Sequence, residues 1–215
     1  MKIIESLREI LQNELPGFEA HLKLSPGERV EGLIERNWPK NAKLSAVTFL
    51  LFLEKGKLKT LLMKRVEYDG VHSGQISLPG GQKDNEDKTF QDTAIREFFE
   101  ETGVQLKKEN FLGELTDLYI PPSNFLVQPF IAFLPSLPKL TPEKAEVQEL
   151  HTIALEDLFN PENFVEEEII IKQRDNKTFT IKAPCYKIKE LCIWGATAMM
   201  ISELESVFKE NHLSL

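Results

Sequence analysis

The stretch "TFQDTAIREFFEETG", residues 89–103, predicts the best-defined helix of the chain, over residues 89–102. Thr89 is a favourable N-cap residue, and Asp92 stands three positions later, which is an Asp variant of the capping box. Gly103 follows where a left-handed residue commonly ends a helix. The helix therefore carries its own start and stop signals.

Three glutamates of this helix, Glu97, Glu100 and Glu101, share one face, since residues three and four apart are neighbours on a helix. Apolar side chains such as Ile95 and Phe98 occupy the other side. Like charges at this spacing repel each other. The face is therefore either fully solvated, as in many amphipathic helices, or it binds a hard cation such as Mg²⁺ or Mn²⁺ through its carboxylates.

The residues just upstream favour the cation. The sequence "LPGG", residues 78–81, ends a short predicted strand, and its glycines let the backbone approach a ligand without an intervening side chain. The helix begins close to this turn, and Arg96 precedes Glu97, where a guanidinium can hold a neighbouring carboxylate in place.

The remaining periodicity predicts an α+β fold with a mixed sheet. It favours strands in six segments, followed by a C-terminal helix. The strand segments are a hairpin over residues 44–65 that turns at Gly56, a short strand over 75–78, the runs 111–120 and 125–134, a strand entering a short helix over 147–159, and a second hairpin around Asp175 and Asn176. No regular alternation of strand and helix occurs, which argues against a doubly wound fold.

Residues 1–43 are predicted to form an N-terminal extension, and residues 44–215 the main domain. The extension begins with an amphipathic helix that lacks the unbroken apolar core of a signal peptide. We expect this helix to pack on the domain or on a second subunit, which leaves a homodimer open. Residues 16–43 contain several Pro and Gly residues and predict an irregular connector.

Composition excludes several classes of partner. The 215 residues carry a net charge of −8, with a pI near 5.2, which argues against a protein that binds nucleic acid through its phosphates. No apolar stretch approaches the roughly 18 residues of a membrane span, so no membrane partner is expected. Cys185 and Cys192 show neither a metal-ligand pattern nor a disulfide framework, which predicts a cytoplasmic protein with two core or surface thiols.

The segment "GGQKDNEDKTFQDTAIREFFEETGV", residues 80–104, resembles the Nudix box, G-x5-E-x7-R-E-U-x-E-E-x-G-U, in which U is a bulky apolar residue. Its second half matches without a gap, through Arg96, Glu97, Phe98, Glu100, Glu101, Gly103 and Val104. The first half differs, because 15 positions separate Gly81 from Arg96 where the general box has 14, and Asp87 occupies the acidic position.

This expanded spacing resembles the coenzyme A pyrophosphatase branch of the Nudix family. The upstream signature of that branch is matched in register by Leu61, Leu62, Arg65, His72, Gly74, Pro79, Gly80 and Gly81. It is altered by Met63, Val66 and Leu78, and Gly70 stands where a second Arg is usual. With "EVQEL" and "IWGATAMMI" further on, the resemblance spans about residues 44–205.

The resemblance implies a Nudix-type α/β/α sandwich and a metal-dependent hydrolase of nucleoside diphosphate derivatives. For coenzyme A, a small-molecule nucleotide, the products would be 3′,5′-ADP and 4′-phosphopantetheine. Two alternatives stay open: another substrate, such as ADP-ribose or NADH, and a non-catalytic module that binds nucleotides. Retention of all three box glutamates favours the enzyme.

The resemblance also implies roles for individual residues. Glu97 and Glu101 would be the leading ligands of Mg²⁺ or Mn²⁺, with Glu100 completing the cluster and the Gly81 carbonyl as an additional ligand. Arg96 would orient the cluster by pairing with Asp87.

The roles outside the box helix are open to alternatives. Glu146 would supply a late ligand or the general base, its alternative being a surface glutamate. Arg65 and His72, with Gly80 and Gly81, would contact the substrate, although Arg65 could be an exposed strand end and His72 could pack the loop. Trp194, Tyr186 and Phe125 are candidates for stacking an adenine, and each could instead be a core residue.

Overall fold

The computed structural model describes residues 2–26, 38–67, 73–172 and 178–215. Within these ranges there are five α-helices: α1 (Lys2–Ile10), α2 (Gly17–Leu22), α3 (Phe90–Thr102), α4 (Leu155–Leu158) and α5 (Gly195–Glu210). Two short 3₁₀ turns occur at Lys108–Asn110 and Pro161–Asn163.

The same ranges contain eleven strands. They are β1 (Lys43–Glu54), β2 (Lys57–Arg65), β3 (Ile76–Ser77), β4 (Gly80–Gln82), β5 (Phe111–Glu114), β6 (Leu118–Ile120), β7 (Phe125–Leu134), β8 (Val147–Ala154), β9 (Phe164–Lys172), β10 (Thr178–Ile188) and β11 (Leu191–Trp194).

A mixed sheet organises the domain. Strands β1 and β2 form the predicted hairpin, and its two-residue turn places both Lys55 and Gly56 at positive φ, as a type I′ turn requires. The sheet runs β3-β2-β1-β7-β5, with β4 paired to β1, β6 to β7 and β8 to β2. Strand β7 runs parallel to β1, whereas the other pairings are antiparallel.

Layers cover both faces of this sheet, which explains why β1 is apolar along most of its length and why five of the nine residues of β2 are buried. Helix α3 buries Ala94 and Phe98 against one face. Helices α1 and α5 pack with the larger apolar cluster on the opposite face, where Leu7 and Leu204 are fully buried. The expected α+β class and α/β/α sandwich are thereby confirmed.

A second, three-stranded sheet of order β11-β10-β9 lies beside the C-terminal helix. Its β9–β10 pair is the second predicted hairpin, and the predicted turn residues Asp175 and Asn176 lie outside the described residues. Strand β11, four residues long, escaped prediction because so short an apolar run carries no periodicity of its own.

The predicted N-terminal amphipathic helix is present as α1 and packs on the domain. Its Leu7 is fully buried, and Arg8 Nη1 donates to the carbonyl oxygen of Phe111 at 2.8 Å. None of the described helices is both long and apolar enough to cross a bilayer.

The prediction of an irregular connector was wrong for α2. This helix is held by α5, because His21 Nε2 lies 2.9 Å from Glu203 Oε2 and Ser202 Oγ donates to the Ala20 carbonyl at 2.8 Å. Both His21 and Glu203 are buried. A six-residue helix gains little from local propensity, so tertiary contacts of this kind decide whether it forms.

The predicted strand over residues 111–120 is divided into β5 and β6. Between them, Thr116 donates its amide and its hydroxyl to the Glu203 carboxylate, the hydroxyl at 2.6 Å. The chain leaves the ladder at this point to satisfy a buried carboxylate, which the local sequence does not reveal.

Candidate active site at the start of helix α3

Two glycines bring strand β4 against both the sheet and helix α3. A side chain on Gly80, whose φ is +150°, would place its Cβ 2.2 Å from the Ala46 carbonyl oxygen. A Cβ on Gly81 would lie 2.3 Å from Glu97 Oε2. Because neither position has room for a side chain, the backbone of β4 reaches the acidic face of α3.

The capping prediction for α3 is confirmed in detail. Asp92 N donates to Thr89 Oγ1 at 3.1 Å, Thr89 N donates to Asp92 Oδ2 at 3.0 Å, and Gly103 adopts φ +73°. The helix therefore ends as its own residues specify, which fixes the direction in which its acidic face projects.

The three glutamates differ strongly in exposure. The side chains of Glu101, Glu97 and Glu100 are 1%, 13% and 52% exposed, respectively. Glu101 and Glu97 point towards β4, whereas Glu100 stays at the surface. The three glutamates share one face, as helical spacing predicts, but their exposure increases from the buried Glu101 to the solvated Glu100.

Glu101 is buried with few partners. The Gly80 amide donates to its Oε2 at 2.7 Å, and Arg65 Nη2 lies 3.8 Å from its Oε1. Burial raises the pKa of Glu101 to about 8, with Glu97 and Glu146 adding to the shift and Arg65 and the Gly80 amide opposing it. The carboxylate charge is thus incompletely compensated by the protein.

Glu146 reaches the same place from outside the box helix. Its carbonyl accepts from the Val66 amide at 3.1 Å, immediately beside Arg65, which pairs with Val147. Burial raises the pKa of Glu97, and the negative charges of Glu100 and Glu146 contribute, against the lowering effect of Arg96. The charge of Glu146, an exposed residue, therefore helps to raise the pKa of both inner glutamates, Glu97 and Glu101.

Arg96, on helix α3, contacts the loop that precedes the helix and carries Asp87. Its Nε and Nη2 contact the two oxygens of Asp87 at 3.2 and 2.8 Å, which is the expected pairing in bidentate form. Its Nη1 donates to Glu97 Oε1 at 2.7 Å and to Glu100 Oε2 at 3.0 Å. Arg96 thus sets the positions of two box glutamates.

Asp87 is well compensated in return. Besides Arg96, the Asp84 amide and the Thr93 hydroxyl donate to its Oδ2 at 2.9 and 3.0 Å. The hydrogen bond from Arg96 is the main reason why the pKa of Asp87 is lowered to about 2, against which burial acts. Arg96 has a correspondingly raised pKa, chiefly through Asp87.

The predicted metal ligands do not form a closed ligand set as they stand. Within residues 2–26, 38–67, 73–172 and 178–215, no three His, Cys, Asp or Glu side chains are arranged to hold a metal ion. Glu97 and Glu100 each turn an oxygen to Arg96, and Glu101 turns one to the Gly80 amide. The assignment of Glu97, Glu100, Glu101 and Gly81 as ligands stays a prediction.

The residues nevertheless have the chemistry that a divalent cation needs. Two inward carboxylates of raised pKa supply hard anionic oxygens with incomplete compensation. The bare Cα of Gly81 lets the Glu97 carboxylate lie directly against the backbone of β4, where a Cβ would overlap it. The residue types therefore suit a divalent cation.

A cavity of about 870 Å³ opens beside this cluster. Arg65, Gly80 and Gly81 lie on its wall, and Arg65 Nη2 also donates to the Gly80 carbonyl at 3.1 Å. Its other walls come from the β6–β7 turn, the β9–β10 hairpin and the start of α5. Among the described residues that line it, Arg65 and Lys182 are charged and none is an Asp or Glu.

Two of the three aromatic residues predicted to stack an adenine lie at the cavity. Trp194 and Phe125 line the cavity, whereas Tyr186 is buried and donates its hydroxyl to Glu205 Oε2 at 2.8 Å. His72 lies outside the described residues, as does Gly70.

Sequence reasoning missed the apolar wall contributed by the β9–β10 hairpin and α5, which includes Ile171, Phe179, Ile181 and Met200. The only local signal was that these runs are apolar, and an apolar run is equally compatible with a buried core. Their place in the wall follows from tertiary packing, which brings these residues close to Arg65, Gly80 and Gly81 although they are far away in sequence.

Comparison with known proteins points in one direction. The NUDIX domain family matches residues 42–174. The chain is 30% identical over 146 residues to "Uncharacterized Nudix hydrolase NudL" of Pectobacterium atrosepticum, covering 67% of this chain and 73% of that protein. It is 31% identical over 174 residues to "Nudix hydrolase 15, mitochondrial" of Arabidopsis thaliana, covering 79% of this chain but 60% of that protein.

Among solved structures, the fold is similar to that of a MutT/nudix family protein from Enterococcus faecalis. The TM-score is 0.55 at 19% identity, and the match covers 88% of this chain and 72% of that one.

Proposed function

Because the chain belongs to the NUDIX domain family and is a Nudix pyrophosphohydrolase, we propose that its substrate is coenzyme A or a coenzyme A derivative. Hydrolysis of the diphosphate would yield 3′,5′-ADP and 4′-phosphopantetheine. The observation that carries this proposal is the pairing of Asp87 with Arg96 across the expanded spacing from Gly81. An Asp at this position, with this spacing, resembles the coenzyme A branch.

The cavity beside the cluster supports a large nucleotide substrate. Its volume of about 870 Å³ lies within the range of small-molecule sites. Trp194 and Phe125 offer aromatic surfaces for an adenine, and Arg65 at the cavity wall offers a guanidinium for a phosphate. We place the diphosphate at the Gly80–Gly81 end and the organic moieties along the apolar walls.

We propose that Glu97 and Glu101, with Glu100 and the Gly81 carbonyl, hold Mg²⁺ or Mn²⁺. When bound, the ion would neutralise phosphate oxygens and stabilise the charge of the transition state. Arg96 then acts as a positioning residue, because it fixes Glu97 and Glu100 while Asp87 fixes it in turn.

In the proposed reaction, a water molecule attacks one phosphorus atom. A new P–O bond forms, and the bond from that phosphorus to the bridging oxygen of the anhydride breaks. Glu146 is the proposed acceptor of the proton that the water loses, since it is an exposed carboxylate whose charge reaches both inner glutamates. Arg65 would orient the phosphates of the substrate.

A substrate panel with Mg²⁺ and with Mn²⁺ tests the assignment. Coenzyme A, ADP-ribose, NADH and a dinucleoside polyphosphate are incubated with the purified chain, and products are identified by chromatography and mass spectrometry. We expect the highest kcat/KM for coenzyme A, the two named products, and loss of turnover in EDTA that added Mg²⁺ restores. Higher kcat/KM for another member of the panel would overturn the substrate assignment and leave the family unchanged.

A further inference from the structure

The two cysteines of the chain meet on the second sheet. Cys185 lies on β10 and Cys192 on β11, and their sulfur atoms are 2.8 Å apart. In the register of this antiparallel pair, Cys185 faces Trp194 and Lys187 faces Cys192. The thiols are therefore diagonal neighbours on one face of the sheet, and neither was expected to have a partner.

The separation of the two sulfur atoms is close to that of a covalent bridge. A disulfide has an S–S bond of about 2.05 Å, so an approach of roughly 0.8 Å would complete it. Both residues are free thiols in this structure. The two strands are hydrogen-bonded neighbours, so no domain movement is required to bring the sulfurs together.

The two thiols differ in access. Cys185 is fully buried, whereas Cys192 is half-buried and lies on the wall of a second cavity of about 810 Å³. A small polar oxidant therefore reaches Cys192 first. The Cys185 sulfur, behind it, is the nearest nucleophile for any reactive group formed on Cys192.

We propose that Cys185 and Cys192 form a modification site at which a hydroperoxide produces an intramolecular disulfide. The Cys192 thiol loses its proton, and the thiolate attacks the hydroxyl oxygen of the hydroperoxide. The O–O bond breaks, Cys192 becomes a sulfenic acid, and the other oxygen takes up a proton and leaves as water or an alcohol. The Cys185 sulfur, losing its proton, then attacks the Cys192 sulfur. The S–S bond forms and the sulfenic oxygen leaves as water.

Burial raises the pKa of both thiols, that of Cys185 to about 12. The thiolate fraction at neutral pH is consequently small, and the first step is slow compared with that of a dedicated peroxidatic cysteine. The charged groups next to the pair, Lys187 and Glu167, are bonded to each other and do not supply a free cation to the sulfurs.

The bridge would act on the wall of the substrate cavity. Trp194, the residue that faces Cys185, lines both the cavity beside the glutamates and the second cavity. Linking β10 to β11 would therefore fix the strand that carries this tryptophan.

The test uses the full chain, reduced and then freed of reductant. It is treated with a few-fold excess of hydrogen peroxide, quenched, and analysed by intact mass, by thiol titration in denaturant and by peptide mapping. We expect a product lighter by the mass of two hydrogens, a thiol count that falls from two to zero, and a linked peptide pair containing Cys185 and Cys192. Dithiothreitol should reverse all three changes.

Two matched variants separate the roles of the thiols. Cys192→Ser should keep its remaining buried thiol reduced under the same treatment. Cys185→Ser should gain one or two oxygen atoms on Cys192, or form a dimer through it. The experiment needs no substrate, so its outcome is independent of the function proposed above.

The proposal is overturned if the wild-type chain keeps two titratable thiols. It is equally overturned if oxygen adds to Cys192 without the lighter product, or if the main product is an intermolecular dimer. Since these readings come from the wild-type chain, they hold even where a variant folds poorly.

Discussion

Asp87 and Glu101 lie at opposite ends of the acidic cluster and are both buried, at 8% and 1% exposure. Their pKa values shift in opposite directions, to about 2 and about 8, respectively. Asp87 accepts two hydrogen bonds from Arg96. It also accepts one from the Asp84 amide and one from the Thr93 hydroxyl. Glu101 receives one amide hydrogen bond and a guanidinium at 3.8 Å.

Burial alone therefore does not identify a functional carboxylate. A buried charge with a full set of donors is a structural element, because the protein itself stabilises it. A buried charge with an incomplete set costs stability unless another cation completes it. By this criterion Asp87 holds the loop and Arg96 in place, and we assign Glu101 to the proposed reactive site.

The largest expected effect comes from Glu101→Gln. The substitution keeps the size of the side chain and an oxygen that can accept from the Gly80 amide, but removes the charge. We expect kcat with Mg²⁺ to fall roughly 10²- to 10³-fold. The unfolding free energy at neutral pH should be unchanged or higher, because Glu101, whose pKa is raised to about 8 on folding, ionises in the unfolded chain and a glutamine does not. Steady-state kinetics and urea unfolding measure the two quantities.

Glu86→Gln is the matched control, because Glu86 is exposed and stands next to Asp87 in the same loop. Its kinetics should equal those of the wild type. Wild-type activity in Glu101→Gln would show that Glu101 is not needed for the reaction and has a structural role, as Asp87 does.

A second prediction compares two glycines. In Gly81→Ala, the new methyl group would overlap the Glu97 carboxylate. The carboxylate is the mobile end of a side chain, so it should move while the fold persists. We expect kcat/KM to fall about 10- to 100-fold with little change in unfolding free energy.

Gly56→Ala should give the reverse pattern. Gly56 is in the hairpin turn at φ +78° with open space around it, so the alanine is strained but touches nothing. A loss of about 1 kcal/mol in unfolding free energy with unchanged kcat/KM is expected. Equal losses of activity in both variants would argue against a specific role for the close contact between Gly81 and Glu97.

Asp87→Asn probes the structural end of the cluster. It removes a charge from the bidentate contact to Arg96, so we expect a loss of about 1–3 kcal/mol in unfolding free energy. Activity should fall about 10-fold, because Arg96 retains its contacts with Glu97 and Glu100. Asp84→Asn is the control, since Asp84 is 67% exposed and 3.8 Å from Arg96, and its effect should stay within about 0.5 kcal/mol.

The smallest effect concerns acid pH. The folded pKa of Asp87, about 2, lies below its ordinary value of 3.8, so its contribution to stability is complete above the ordinary value and is lost as the pH falls through about 2. The difference in unfolding free energy between wild type and Asp87→Asn should be constant near pH 5–6 and shrink towards pH 2. A difference that grows on acidification would contradict the assignment.

Sequence reasoning succeeded where the signals were local. The limits of α3 followed from Thr89, Asp92 and Gly103, and the first hairpin followed from Gly56 between two apolar runs. The pairing of Arg96 with Asp87 was also predicted, from the position of Asp87 in the box. In each case the chemistry that decides the geometry lies within about fifteen residues.

It failed where the structure depends on contacts that the local sequence pattern does not show. Helix α2 depends on Glu203 and Ser202 of α5. The proximity of Cys185 to Cys192 depends on β11, a strand too short to show a pattern. The graded exposure of the three glutamates depends on the approach of β4, which helical spacing alone does not contain.

The parallel pairing of β1 with β7 has a consequence for how the chain folds. Lys43 faces Phe125 and Phe52 faces Leu134, so the loop closed by this pair contains β2, β4 and the whole of α3. Contacts between residues so far apart in sequence form late and limit the folding rate, because the entropy of loop closure must be overcome first. Helix α3 packs on β1 and β7 together, so the acidic face should acquire its final position in the last stage of folding. Substitutions in β7 that slow this closure would reduce the rate at which active enzyme appears, even where the folded protein is fully active.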